Sequence, residues 1–163
     1  MVTQSLCLED QPLRFNFPAE IRFRCSKCGL CCGDTHQKTR RVLLLKSDAE
    51  RIATSAKRQI DTFATQTTTK QPYVYEIRKN AQNGKCIFLQ QNRCMIYQDR
   101  PLICKFYPFE LATDIKGIYT FKTTEECPGV SCPGRNGVGK KLDRRYFKEL
   151  LELALAELNA EPR

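Results

Sequence analysis

The 163-residue chain combines 41% hydrophobic and 28% charged residues with a formal net charge of +9 and ten cysteines. This composition is typical of a globular domain with its own core and excludes a disordered tail. The longest apolar run, VLLL at 42–45, is far shorter than the roughly 20 residues of a membrane-spanning helix, so we expect no membrane partner.

The N-terminal segment MVTQSLCLEDQPLRF lacks the basic-then-apolar pattern of a secretory signal. We therefore expect a cytoplasmic protein, whose thiols the cell keeps reduced. In a reducing compartment, ten cysteines favour metal binding over disulfides. Disulfides stay an alternative, because the cytosol of hyperthermophiles tolerates them.

The densest cysteine segment is RCSKCGLCCG at 24–33. Cys25, Cys28 and Cys31 have the C-x-x-C-x-x-C spacing at which a tight turn directs successive sulfurs towards one centre. Zinc knuckles use half of this spacing, and bacterial ferredoxins use all of it. An extended backbone would direct the adjacent Cys31 and Cys32 to opposite sides. We therefore expect these two cysteines to bind different centres or different irons.

The chain continues with a strand, a helix and a second strand, predicted at 39–45 (TRRVLLL), 47–64 and 73–79 (YVYEIRK). The helix has apolar residues at helical spacing, and Ser47 followed by Glu50 has the pattern of a capping box. YVYEIRK alternates apolar and polar residues, as a half-buried strand does. The Thr-rich segment 65–72 is predicted as a polar connector.

Further cysteines lie downstream. GKCIFLQQNRCMIY at 84–97 has two short apolar runs around the turn QQNR, which predicts a β-hairpin with Cys86 in one arm and Cys94 in the other. Cys104 lies between two prolines, and Cys127 opens a CPG segment. Four cysteines in the first segment and four downstream suggest two tetrathiolate sites, or one iron–sulfur cluster and one mononuclear metal.

The last predicted elements are a strand at 117–123 (GIYTFKT) and an amphipathic helix at about 141–158. The fold class is therefore predicted as α+β: a small single domain over 1–163 with short strands, a hairpin, two main helices and cysteine-rich metal-binding loops. The metal-binding core is expected at about 23–140.

The net charge needs a correction before it can indicate a partner. If eight cysteines bind two dications as thiolates, the charge falls from +9 to about +5, because eight negative and four positive charges are added. The remaining basic surface does not by itself indicate a nucleic acid.

Four blocks of the sequence resemble a known family. CSKCGLCC (25–32), GKCIFL (84–89), CMIYQDRPLICKFYPF (94–109) and CPG (127–129) resemble, in this order, the blocks of the CxxCxxCC cysteine-cluster family of YkgJ-like zinc- or iron-chelating domains. The resemblance spans about 23–140 and implies a metal-binding domain with zinc or iron. Family members also resemble part of the flagellin lysine-N-methylases.

The resemblance implies eight metal ligands in this chain: Cys25, Cys28, Cys31, Cys32, Cys86, Cys94, Cys104 and Cys127. It also matches Arg100, which would donate to a thiolate or a backbone carbonyl and hold the loop of Cys104. Because CPG is repeated in CPGVSCPG, Cys132 is an alternative ligand to Cys127. Cys7 lies outside the pattern.

Three functions remain open. The first is an iron–sulfur protein, for example with a 4Fe-4S cluster, in a redox or accessory role. The second is a structural zinc module that presents a basic surface to a protein or, with less support, to a nucleic acid. The third is a component related to protein lysine N-methylation. The C-x-x-C-x-x-C spacing favours the cluster over zinc. The sequence contains no dinucleotide fingerprint, nucleophile elbow or HExxH motif, so no enzymatic activity is assigned.

Overall fold

A computed structural model describes residues 13–131 and 139–161 of the chain. These residues form four α-helices: α1 (Lys46–Ala56), α2 (Ile60–Phe63), α3 (Leu102–Phe106) and α4 (Arg144–Ala160). They also form eleven short strands: β1 (Phe15–Asn16), β2 (Arg22–Phe23), β3 (Leu43–Leu44), β4 (Ala64–Gln66), β5 (Tyr75–Ile77), β6 (Leu89–Gln90), β7 (Arg93–Cys94), β8 (Phe109–Thr113), β9 (Tyr119–Thr123), β10 (Val130–Ser131) and β11 (Lys140–Lys141). The fold is mixed α+β, with α1 and α4 as the main helices, as the sequence predicts.

The strands pair into small sheets of order β1-β9-β8, β10-β2-β11 and β3-β5-β4, and into the hairpin β6-β7. The three predicted strands are confirmed, in shorter form, as β3, β5 and β9. Part of the predicted connector 65–72 is a strand instead. β4 pairs antiparallel with β5, and Ala64 opposite Ile77 is buried, so pairing with a core strand overrides the polar composition.

Two hydrophobic clusters form the core. The first hydrophobic cluster joins Phe15 of β1, Phe121 of β9 and the inner face of α4 around Phe147. The second hydrophobic cluster includes Leu44 of β3, Ile52 of α1 and buried residues of the hairpin region. Cys86, Cys94 and Cys104 pack against this second hydrophobic cluster, which places three of the predicted ligands at the edge of the core.

The start of α1 differs from the prediction. The helix begins at Lys46 with Leu45 as its cap, so the predicted capping box of Ser47 and Glu50 is wrong. The carboxylate of Asp48 accepts a hydrogen bond from the Leu45 N–H at 3.1 Å, which is one half of a capping box. Leucine has no side-chain acceptor and is not a typical N-cap residue. The sequence therefore does not mark Leu45 as the cap of α1.

The predicted helix 47–64 is divided in two. α1 ends where Lys57 adopts a left-handed backbone conformation with φ of 52°, and α2 begins at Ile60. Ile52 and Phe63 are nevertheless fully buried in the second hydrophobic cluster. The apolar spacing therefore predicted the buried face correctly but not the interruption.

Asp48 connects α1 to α3, the helix that carries Cys104. Its side chain is completely buried, and Oδ1 accepts from the Leu102 N–H at 3.2 Å, the first N–H of α3. Arg51 donates to the same oxygen at 2.6 Å. Burial raises the pKa of Asp48, while these donors oppose the increase. One carboxylate therefore fixes the position of a cysteine-bearing helix.

The last helix, predicted at about 141–158, begins later. The side chain of Asp143 caps α4 by accepting from the Tyr146 N–H at 3.0 Å. Lys141, predicted within the helix, pairs with Arg22 in the sheet β10-β2-β11. None of the helices in the described ranges is both long and apolar enough to cross a membrane.

Candidate metal centre

The first cysteine segment makes a tight turn around Gly29. Gly29 has φ of 72°, and the Cys32 N–H donates to its carbonyl at 3.1 Å, which closes a 3-10 turn over Leu30–Cys32. A Cβ on Gly29 would lie 3.2 Å from Oδ1 of Asn92 in the hairpin. Glycine is thus required both by the left-handed backbone and by the close approach of the hairpin.

The adjacent Cys31 and Cys32 lie side by side. Their Sγ atoms are 3.7 Å apart. The expectation that they project to opposite sides is wrong, because the backbone here is a 3-10 turn and not extended. Two sulfurs on one tetrahedral zinc ion, each about 2.3 Å from the metal, are about 3.8 Å apart. The observed pair therefore has the spacing of two ligands on one ion.

The contact between the two thiols also changes their acidity. A Cys31 thiolate accepts a hydrogen bond from the Cys32 thiol, which lowers the pKa of Cys31 to about 6 and raises that of Cys32. The charges of Arg40 and Arg100 lower the pKa of Cys31 further. Because thiolates and not thiols bind metals, the lowered pKa makes Cys31 the more readily ionised ligand of the pair.

The hairpin adjoins this pair directly. The Cys86 N–H donates to the Cys32 carbonyl at 2.6 Å, and Gly33 forms a bridge with Lys85. The predicted hairpin is confirmed as β6 and β7, with Cys94 opposite Leu89. The prediction of a cysteine in each arm holds for Cys94 alone, since Cys86 precedes β6.

Cys86, Cys94 and Cys104 share a partly buried environment against the second hydrophobic cluster. Burial raises the pKa of all three thiols, that of Cys86 to about 11. Negative charge on Cys31 would raise the pKa of each further. We call these five residues the inner group: Cys31, Cys32, Cys86, Cys94 and Cys104.

The other predicted ligands lie nearer the surface. Cys25 and Cys28 are exposed, and Cys127 is half-buried. The Arg24 N–H donates to the Gly129 carbonyl at 3.0 Å, which brings the CPG segment to the start of the first cysteine segment. Burial raises the pKa of Cys127, and charge on Cys28 would raise it further. We call Cys25, Cys28 and Cys127 the outer group.

A polar network beside the outer group has no signature in the sequence. Thr35 Oγ1 donates to Glu126 Oε1 at 2.9 Å, and the Arg40 guanidinium pairs with the other oxygen of Glu126. The same guanidinium lies over the ring of Tyr107, 5.1 Å from its centre. These side chains are far apart in the chain and meet only in the fold, so no local spacing could predict them.

Arg100 has a different contact from the one predicted. Its guanidinium lies over the ring of Tyr97, 4.0 Å from the ring centre, and its carbonyl accepts from Arg51 at 3.3 Å. The carbonyl contact connects the start of the Cys104 segment to α1. A hydrogen bond from Arg100 to a metal-bound thiolate stays a prediction.

The thiols fit zinc or iron by their chemistry, since both metals take cysteine sulfur. In the ranges 13–131 and 139–161, however, no three His, Cys, Asp or Glu side chains are placed together as they would be around a bound ion. The pair of Cys31 and Cys32 is in place, and further ligands would have to turn towards it. Cys7 and Cys132 lie outside the described residues.

Comparisons with known proteins agree with this chemistry. A family model described as "CxxCxxCC: Putative zinc- or iron-chelating domain" matches residues 24–132, which confirms the resemblance in the cysteine motifs. An uncharacterized protein of Methanocaldococcus jannaschii is 34% identical over 94 residues, which cover 56% of this chain. The chain spans about half the length of that relative, 47% of which is matched. No solved structure gives a significant match.

Proposed function

This chain belongs to the CxxCxxCC family of zinc- or iron-chelating domains, and we propose that it holds metal in two groups of cysteine thiolates. The inner group provides the ligands of a buried centre. The outer group provides those of a centre near the surface, with Cys132 as the candidate for a fourth ligand. The observation that carries the proposal is the 3.7 Å separation of the Cys31 and Cys32 sulfurs.

The inner group is suited to a structural centre. Its cysteines come from the first cysteine segment, the hairpin and α3, which are distant in sequence. A metal bound there would connect these segments to one another beside the second hydrophobic cluster. Metal binding would therefore contribute directly to the stability of the fold. It would also remove the mutual repulsion of the thiolates.

For the metal, we favour an iron–sulfur cluster of the 4Fe-4S type over zinc. The C-x-x-C-x-x-C spacing in the sequence favours this choice, whereas the structure divides its three cysteines between the outer and the inner group. A bound cluster would supply one-electron chemistry, and the exposed Cys25 and Cys28 would leave part of the site accessible to a redox partner. We propose a redox or accessory role on this basis. A cytoplasmic location, where thiols stay reduced, belongs to the same proposal.

A structural zinc module is the second candidate, and the sheet β10-β2-β11 favours it. Lys140 and Lys141 lie opposite Phe23 and Arg22, and all three basic residues are exposed. This sheet adjoins the CPG segment through Gly129, so a zinc site there would hold a basic surface in place for a protein or nucleic-acid partner. Lysine N-methylation stays a prediction from family resemblance.

Anaerobic purification followed by iron, zinc and acid-labile sulfide analysis tests the proposal. We expect a brown protein that contains iron and sulfide. A colourless protein with stoichiometric zinc would support the zinc module. A correctly folded protein that contains neither metal and takes up neither on reconstitution would contradict metal binding by this chain.

A further inference from the structure

Four polar side chains form a network that no metal ligand belongs to. Thr35 donates to Glu126 at 2.9 Å, Glu126 pairs with Arg40, and Arg40 lies over the ring of Tyr107. The side chains of Arg40 and Glu126 are only 12% and 15% exposed. Such an enclosed ion pair is costly to form unless its two partners are well placed.

Each end of the network adjoins a cysteine segment. Thr35 follows Cys32 by three residues, and Glu126 directly precedes Cys127. Tyr107 follows Cys104 by three residues and leaves α3 immediately after its last turn. The network therefore fixes the first cysteine segment, α3 and the CPG segment relative to one another.

The hydroxyl of Tyr107 is the unexplained part of this arrangement. It is buried, and within the described residues no well-formed hydrogen bond satisfies it. The network leads from this hydroxyl to Cys127, because Arg40 lies over the Tyr107 ring and pairs with Glu126, the residue directly before Cys127. A phenol hydroxyl is protonated at neutral pH, so it can donate to a negative sulfur.

We propose that Tyr107 is a positioning residue that donates its O–H to the Cys127 sulfur when Cys127 binds metal as a thiolate. Arg40 holds the tyrosine ring from above, and Glu126 and Thr35 hold Arg40. The inference rests on the proposed function, because it requires a metal-bound thiolate in the outer group.

The chemistry of metal–thiolate bonds defines what this hydrogen bond does. A donor to a metal-bound sulfur stabilises the negative charge on that sulfur and fixes its direction. Removing the donor raises the energy of the sulfur lone pairs. A sulfur-to-metal charge-transfer band then moves to lower energy.

Tyr107→Phe tests the inference, because it removes the hydroxyl and keeps the ring under Arg40. Tyr119→Phe is the matched control, since Tyr119 packs against the first hydrophobic cluster, away from the cysteines. Both variants and the wild type are loaded anaerobically with cobalt(II), which makes the thiolate band visible. Chelator competition gives the affinity.

We expect Tyr107→Phe to bind cobalt roughly 10- to 100-fold more weakly than the wild type, with its charge-transfer band at lower energy. The control should match the wild type in both readouts. Unchanged affinity and band energy in Tyr107→Phe would overturn the inference while leaving metal binding intact. A wild type that binds no cobalt and contains no metal as purified would contradict the proposed function instead.

Should Tyr107→Phe fail to fold, Arg40→Gln replaces it. This variant keeps the hydroxyl and removes the guanidinium that holds the ring. The charge-transfer band should move in the same direction, by less than in Tyr107→Phe, because the hydroxyl is present but less well directed. An unchanged band in folded Arg40→Gln would overturn the positioning role of the network.

Discussion

Replacing Asp48 by alanine tests how α1 holds the helix that carries Cys104. The completely buried carboxylate accepts from the Leu45 N–H, the Leu102 N–H and the Arg51 guanidinium at 3.1, 3.2 and 2.6 Å. Asp48→Ala leaves two buried N–H groups and one arginine without this partner. α3 then loses the acceptor of its first N–H, and Cys104 loses its fixed position.

The expected cost follows from these contacts. A buried N–H left unpaired costs about 1–3 kcal/mol, and removing one partner of a buried ion pair costs about 3–5 kcal/mol. These costs overlap, and the side chain of Arg51 is 30% exposed and can regain water. We therefore expect Asp48→Ala to lower the free energy of unfolding by about 3–5 kcal/mol.

Denaturant unfolding of the wild type and the variant, both loaded with metal, measures this difference. Glu50→Ala is the matched control, because Glu50 is an acid of the same helix that is exposed and 3.9 Å from Lys46. Glu50→Ala should lower the free energy of unfolding by well under about 1 kcal/mol. If Asp48→Ala unfolds within about 0.5 kcal/mol of the wild type, Asp48 does not have the role assigned to it here.

Three further predictions concern the thiols. Strong chelation should remove the near-UV circular dichroism of the folded protein, because metal binding to a thiolate site contributes on the order of 10 kcal/mol to the stability of the fold. An unchanged spectrum and melting temperature of metal-free protein would refute this. Cys31→Ser and Cys32→Ser should lose the same metal, because their sulfurs are 3.7 Å apart; two different partial losses, measured as metal per chain, would argue for separate centres. In brief alkylation of the metal-bound protein, mass spectrometry should find the exposed Cys25 and Cys28 modified before Cys104, which packs against the second hydrophobic cluster, and the reverse order would be inconsistent with the two groups.

The sequence predicts well what depends on local pattern. Alternating residues indicated β5, the run GIYTFKT indicated β9, the turn QQNR indicated the hairpin, and apolar spacing indicated the buried face of α4. In the hairpin, Gln91 and Asn92 adopt the left-handed backbone that a two-residue turn requires.

What the sequence did not predict depends on contacts between distant residues. Asp48 reaches across to Leu102, and Glu126 meets Arg40 and Thr35, over separations that no short pattern encodes. The placement of Cys31 and Cys32 depended on backbone conformation, since a 3-10 turn brings together sulfurs that an extended chain would separate.

X-ray absorption spectroscopy at the edge of the bound metal tests the central claim most directly, because it identifies the atoms that contact the metal. If cysteine thiolates hold the metal, the first shell should consist of sulfur at about 2.3 Å, with an additional shell of iron neighbours when a cluster is present. A first shell dominated by nitrogen or oxygen, in a protein that contains its full complement of metal, would contradict the account.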